Sequence, residues 1–165
     1  MKWYDKSTMQ IRKAEAKDIP QILNLLSQVL EIHAKIRPDI FIAGRTKYTN
    51  DELLEMINNN DNLIYVAVEE SYVLGYAMCE ILKPKFTNTM HPHSIFYIDD
   101  FCVDEKYRQQ KIGQTLFEYV KNEAKKYGCY AITLSSWEGN IGAKSFYEKM
   151  GFKTRYTMLE YIIEK

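Results

Sequence analysis

Residues 99–114 read DDFCVDEKYRQQKIGQ, and their reading decides the fold. Upstream, Ile95–Val103 (IFYIDDFCV) is apolar enough for a buried strand that ends at Val103. A short polar stretch follows. From Ile112 the apolar residues Ile112, Leu116, Val120 and Ala124 recur at every fourth position with Phe117 beside them. That period predicts a helix over Ile112–Tyr127, closed by Gly128. Where a strand runs through a short loop into a helix, the N–H groups of the first turn are left without partners. Together with the positive end of the helix they suit an anionic phosphate, and Arg108 and Lys111 add cationic side chains. The same residues also suit a basic, solvated loop that binds nothing. Gly113 is the only glycine in the stretch, so it is neither a GKS/GKT phosphate loop nor a dinucleotide-binding GxGxxG.

Outward from this stretch, the pattern alternates strands and helices. Met9–Ala14 alternates weakly and reads as a first strand. Asp18 is placed to cap a helix with Pro20 in its first turn and Gln21 at the capping-box position. Ile19, Ile22, Leu23, Leu26, Val29 and Leu30 give that helix an apolar face to about Lys35. Ile36–Asn50, with Pro38 and Gly44, reads as a loop. Asn50 or Asp51 caps a second helix over Glu52–Ile57, which stops in the polar cluster 58–62. Leu63–Glu69 and Val73–Leu82 read as strands joined by a turn, and residues 83–93 as a polar loop. Past Gly128, Tyr130–Leu134 is a short strand, Asn140 caps a helix to Met150, and Phe152–Ile163 is extended. The order β-α-α-β-β-β-α-β-α-β is that of an α/β domain on a mixed sheet.

The chain has 165 residues, 46% of them hydrophobic and 13% aromatic, which suits one domain over residues 1–165 and excludes disordered or collagen-like chains. Lys and Arg number 22 against 22 Asp and Glu, so charge gives no reason to expect a nucleic acid or an anionic membrane as partner. The longest apolar runs are too short to span a bilayer, and MKWYDKSTMQ at the start lacks the apolar core of a secretion signal. Three widely spaced cysteines, Cys79, Cys102 and Cys129, fit a reduced, cytoplasmic protein.

A second informative run is NIGAKSFYEKMGF at residues 140–152. Phe146 or Tyr147 alone would read as core packing. Taken with residues 99–114, it resembles the GCN5-related N-acetyltransferase (GNAT) family. The family carries a strand ending in an apolar residue, then R/Q-x-x-G-x-G/A opening a helix; Val103 and Arg108-Gln-Gln-Lys-Ile-Gly113 are similar, with Lys111 in place of the first glycine. The run N-x-x-A-x-x-F-Y-x-x-x-G-F is matched by Asn140, Ala143, Phe146, Tyr147, Gly151 and Phe152. The resemblance covers roughly Gln10–Ile163. It implies a mostly antiparallel mixed sheet flanked by helices and splayed between its central strands. It implies acetyl transfer from acetyl-coenzyme A, as cosubstrate, to an amine. A negative φ at Lys111 would keep that loop working, with its ammonium free to meet a coenzyme phosphate.

Roles follow from the resemblance. The backbone of Phe101, Cys102 and Val103 would pair with the pantetheine arm as an added strand. The amides of Arg108, Gln109, Gln110, Lys111, Ile112, Gly113 and Gln114 would hold the pyrophosphate. Asn140 would bond the pantetheine chain beside Ala143, and Tyr147 would protonate the departing thiolate. The polyamine acetyltransferases of the family carry Glu-Asp ahead of three apolar residues, to which Asp99-Asp100-Phe101-Cys102-Val103 is similar; that puts the base on Asp99. In a regular strand Asp99 and Asp100 face opposite ways, so one at most would line the cleft. The chemistry needs both an acid and a base. An alkyl amine with a pKa near 10.4 is neutral in about one molecule per thousand at pH 7.4, a deficit of roughly 4 kcal/mol.

Other signals are weaker. His91-Pro-His93 lacks a third ligand, and no metal is expected. Cys102 reads as a packed thiol. His33 reads as a satisfied helix histidine ahead of a lining of the substrate mouth. Trp137 and Glu138 read as the open edge of the cleft implied by the resemblance or, equally for Trp137, as a cap on the core. Asp5, Asp39, Glu80, Asp99 and Asp100 are candidates for an acidic acceptor pocket. The acceptor is left open between a small amine or polyamine and a protein amino group, as is a homodimer. Two rivals stand beside catalysis: a GNAT-like module that holds acetyl-coenzyme A without reacting, against which Tyr147 argues, and an unrelated nucleotide-phosphate site.

Overall fold

The computed structural model describes residues 8–163; Asp5 lies outside them. Five strands lie in sequence order: β1 (Gln10–Lys13), β2 (Leu63–Glu69), β3 (Tyr72–Leu82), β4 (Ile95–Val103) and β5 (Ala131–Leu134). The first four pair antiparallel, and β4 pairs with β5 in parallel. The helices are α1 (Ile19–Ile36), α2 (Asn50–Asn58), α3 (Ile112–Lys126) and α4 (Ile141–Lys149). No helix of the described residues is long and apolar enough to cross a membrane.

The sheet is covered on both faces, so β2 is a continuous apolar run rather than an alternating one. Its even positions, Ile64 and Val66, join Tyr76, Met78 and Cys102 under Ile22, Leu25 and Leu26 of α1 and Leu53 of α2. Its odd positions, Leu63 and Tyr65, join Ala77, Phe96 and Ile98 under Leu116 and Val120 of α3.

Pairing between β3 and β4 slips by one residue: Met78 faces Asp100, but Cys79 faces Ile98. Asp99 is the extra residue of a β-bulge. The alternation of β4 is reset there, so Ile98 points to the α3 core while Cys102 points to the α1 core. Pairing of β4 with β5 ends at Ile98↔Leu134. From Asp99 to Val103 the strand has β3 on one side and, among the described residues, no strand on the other. That opening is the splay that the resemblance implies.

Four local expectations differ from the structure. Asp18 precedes α1 without capping it, because its buried carboxylate is taken by Arg12 (2.7 and 3.0 Å) and the Glu15 N–H. Gln21 instead ties α1 to the β2–β3 turn through Ser71 and Val73. The cap of α2 is Thr49, whose hydroxyl accepts from the Glu52 N–H while Glu52 accepts from the Thr49 N–H. Phe152–Ile163 joins no sheet among the described residues, and Tyr156, Met158, Leu159, Tyr161 and Ile163 are exposed.

Candidate active site

The start of α3 is built by two left-handed residues. Gln109 has φ 64° and Lys111 has φ 65°, so Lys111 adopts the conformation of the glycine it replaces rather than the negative φ expected. For a residue with a Cβ this costs about 1–2 kcal/mol. The turn lifts the N–H groups of Lys111, Ile112, Gly113 and Gln114 clear, and among the described residues none has a protein acceptor; the first helical bond is Thr115 N–H to Lys111 O. Gly113 lets α3 start close to its neighbours. A Cβ there would lie 3.2 Å from the Phe146 ring and 3.4 Å from Val103 Cγ2. The Arg108 side chain turns back, its Nε donating to the Val103 carbonyl at 3.1 Å. Gln110 is half-buried beside it.

On the far side of the opening, the Asn140 carboxamide oxygen accepts from the Ala143 N–H at 3.2 Å and starts α4. Its amide N–H₂ has no protein partner among the described residues. α4 then delivers Tyr147 into a ring cluster with Phe101 (6.4 Å), Phe146 (5.3 Å) and Phe152 (5.4 Å). Burial, then the charge of Asp100, raises the Tyr147 phenol well above its ordinary value, so it keeps its proton at neutral pH. Tyr147 thus lies beside Phe101, one residue past the carboxylate pair.

The bulge changes what Asp99 and Asp100 do. Regular alternation predicts opposite faces for them; instead both meet one ammonium. Lys47 Nζ lies 2.7 Å from Asp99 Oδ2 and 3.8 Å from Asp100 Oδ2. The Tyr48 hydroxyl donates to Asp99 at 2.9 Å, and the buried Tyr76 hydroxyl donates to Asp100 at 3.0 Å. The Asp99 side chain is 31% exposed and that of Asp100 only 8%. Burial raises the Asp100 carboxyl above its ordinary value, against the pull of Lys47 and of the Tyr76 hydrogen bond. Burial works to lower the Lys47 ammonium, but the Asp99 hydrogen bond and the two carboxylates prevail and raise it. A cavity of about 120 Å³ touches Asp99 from the side of Tyr48, Met78, Cys79 and Glu80.

Lys47, Tyr48 and Tyr76 carry no local sequence signal. Lys47 stands 52 residues from Asp99 in an irregular loop, and only the fold brings them together. His33, Phe41 and Trp137 form a chain of rings. His33 packs on Phe41 (5.1 Å), Phe41 on Trp137 (5.4 Å), and the Arg37 guanidinium lies over Trp137. Burial, aided by Lys47, lowers the His33 imidazole. Cys102 is buried with its thiol pushed up to about 12, mainly by desolvation, and its Sγ faces the Leu25 carbonyl. Asp39 is paired with Arg37 rather than with the carboxylates. His93 bonds the His91 carbonyl through Nδ1.

Known proteins resemble this arrangement. Residues 26–152 match the model of the acetyltransferase (GNAT) family. Glucosamine 6-phosphate N-acetyltransferase of Arabidopsis thaliana is 26% identical over 152 residues, covering 90% of this chain and 92% of its own. Spermine/spermidine N(1)-acetyltransferase of Bacillus subtilis is 28% identical over 85 residues, 51% of this chain and 55% of that one. The crystal structure of a mutant of the BH1408 protein from Bacillus halodurans superposes with a TM-score of 0.89 at 28% identity, covering 94% of this chain and 99% of that one. A match over most of the length, on a splayed sheet with the motif residues at its opening, shows that the chain belongs to the acetyltransferase (GNAT) family, whose members are N-acetyltransferases that use acetyl-coenzyme A.

Proposed function

We propose that this chain acetylates a cationic primary amine, of the polyamine or small-amine class ahead of a protein amino group, by direct attack on acetyl-coenzyme A within a ternary complex. The observation that carries this reading is the bulge of β4. It sets two carboxylates around one ammonium at the open half of the strand, beside a phenol that retains its proton. The name of one relative specifies an amino sugar phosphate and that of another specifies polyamines. Two carboxylates against one lysine leave a net negative pocket, which repels a phosphate and attracts a second ammonium.

In this reading the pantetheine arm lies along the unpaired side of Phe101, Cys102 and Val103. The pyrophosphate sits on the amides at the start of α3. The free amide of Asn140, beside Ala143, holds the pantetheine chain. Asp99, the more exposed carboxylate, takes the proton of the acceptor ammonium directly or through a water. The neutral amine attacks the thioester carbonyl, the C–S bond breaks, Tyr147 gives its proton to the leaving sulfur, and the proton lost from the amide nitrogen restores the phenol through solvent.

The test is acetyl transfer from acetyl-coenzyme A to a panel of polyamines, simple alkyl amines, aminoglycosides, amino sugar phosphates and peptide N-termini, with released thiol as readout. Polyamines or simple amines are expected to give the highest kcat/KM. Faster turnover of an amino sugar phosphate or a peptide overturns the acceptor assignment. No thermal shift with millimolar coenzyme A overturns the placement of the cosubstrate.

A further inference from the structure

We propose that Lys47 is itself an acceptor: with acetyl-coenzyme A bound and no amine substrate present, its Nζ takes the acetyl group, and the chain modifies itself once, at this residue. The proposal rests on the reading above, because it uses the same base and the same acid. Its basis is positional. The group that Asp99 must accept a proton from is a primary ammonium, and Lys47 supplies one, 2.7 Å from Oδ2. Asp100 Oδ2 lies 3.8 Å from the same nitrogen. The Lys47 side chain is 39% exposed, as is that of Lys121, which pairs with Glu118 outside the site, and those of Lys17, Lys126 and Lys144 are more exposed. Those three pair with Glu15, Glu123 and Glu138, none of which belongs to the site.

The route also fits the loop that carries the residue. Lys47 follows Gly44, which turns at φ 76° and is tied by its N–H to Glu31. The side chain reaches inward from there across the Tyr48 ring, 5.4 Å from its centroid. Along the open half of β4, Phe101 stands two residues past Asp99, and its ring is 6.4 Å from that of Tyr147.

The step balances. One proton of the Lys47 ammonium goes to Asp99; the freed lone pair forms a C–N bond with the acetyl carbonyl carbon. The C–S bond breaks, and the sulfur takes the Tyr147 proton. The second Lys47 proton leaves the nitrogen as the amide forms and restores the Tyr147 phenol through solvent, and Asp99 releases its proton to solvent. The products are Nε-acetyl-Lys47 and free coenzyme A. Loss of the Lys47 charge leaves Asp99 and Asp100 without their shared cation, and the pocket becomes more negative toward the next amine.

The experiment uses the full chain with acetyl-coenzyme A and no added amine, followed by intact mass over time and by peptide mapping. The expected result is one acetyl per chain, on Lys47, at a rate independent of protein concentration. Lys47→Arg keeps a cation beside the carboxylates and abolishes the label. Asp99→Asn slows it by about 10²-fold. A parallel sample contains spermidine as probe amine. Label spread over surface lysines at similar rates, or a rate that scales with protein concentration, overturns the proposal. So does turnover of spermidine in the parallel sample with Lys47 unmodified at every time point in the amine-free one, and in that case the reading of the site survives. Neither self-label nor turnover of any amine overturns both.

Discussion

Residues Ile95–Ile98 of β4 have β3 on one side and β5 on the other, whereas Asp99–Val103 have β3 alone. The first half carries Phe96 and Ile98, essentially inaccessible, into the core beneath α3. The second half carries two carboxylates, a bulge and a row of backbone groups facing an opening. A strand edge inside a protein is costly unless something pairs with it, and here the strand ends within nine residues of a helix start whose N–H groups are also free. The two halves show how one strand anchors a site and forms its floor. The paired half fixes the register; the bulge then turns Asp100 and Cys102 toward α1 and leaves Phe101 to meet Tyr147.

The largest effect is expected from removing the base in the open half. Asp99→Asn cannot accept the ammonium proton, so the enzyme must capture the amine already neutral, about one molecule in a thousand at pH 7.4. The expected fall in kcat/KM is up to about 10³-fold at that pH, and it shrinks about tenfold per unit as pH rises toward the amine pKa. The mutant profile is therefore steeper than that of the parent. Parallel profiles would make Asp99 a binding carboxylate, and a larger pH-dependent loss in Asp100→Asn would move the base across the bulge.

Tyr147→Phe comes next, at about 10²-fold in kcat with little change in coenzyme affinity. Its effect is smaller because a thiolate with a pKa near 8.5 leaves with less assistance than an alkoxide. The ring contacts with Phe101, Phe146 and Phe152 persist in the variant, so undiminished kcat at saturating substrate would leave Tyr147 as packing alone.

A third change tests the open half from its paired side. Gly75 faces Val103 across β3–β4, and a Cβ on it would stand 2.6 Å from the Cys102 carbonyl oxygen and 3.3 Å from Val103 Cα. Alanine in a strand is ordinarily favoured over glycine. At Gly75 the sign reverses, because backbone must move. Gly75→Ala is expected to cost about 1–3 kcal/mol, lowering Tm by about 2–4 °C per kcal/mol. The displaced Phe101–Val103 backbone should also weaken coenzyme A binding by calorimetry. An unchanged Tm with unchanged affinity would mean that the open half yields freely.

The paired half is legible in the sequence and the open half only in part. The boundaries of Ile95–Val103 and the start at Ile112 follow from apolar period, because burial on two faces dictates them residue by residue. The bulge leaves no such trace, since DDFCV reads as regular alternation; its cause is pairing with β3. Alternation therefore sends the two aspartates to opposite faces, and nothing local marks Lys47, which meets both. The final apolar stretch Tyr156–Ile163 has strand composition without a partner strand among the described residues, and composition cannot supply one. Thr49 and Asn50 are both good cap residues, and the contact that decides for Thr49 is the return bond from Glu52.

The smallest expected effect concerns Lys111, where sequence and backbone disagree most sharply. The family position is glycine, and the residue here is held at φ 65°. Relief of a left-handed Cβ is worth about 1–2 kcal/mol, while glycine gives back part of that by loosening the unfolded chain. Lys111→Gly is therefore expected to gain about 0.5–1 kcal/mol, raising Tm by about 1–4 °C. Coenzyme binding separates backbone from charge. If only the amides at the start of α3 hold the pyrophosphate, Lys111→Gly binds coenzyme A as well as the parent and with the same dependence on salt. If the ammonium contributes, Lys111→Gly and Lys111→Ala lose affinity alike, by about threefold to fivefold for an exposed ion pair, and both flatten the salt dependence. Lys111→Ala keeps the left-handed strain and gains no Tm, so the pair of variants assigns the stability effect to φ and the affinity effect to charge. A higher Tm in Lys111→Ala than in Lys111→Gly would show that the turn is not held at positive φ in solution.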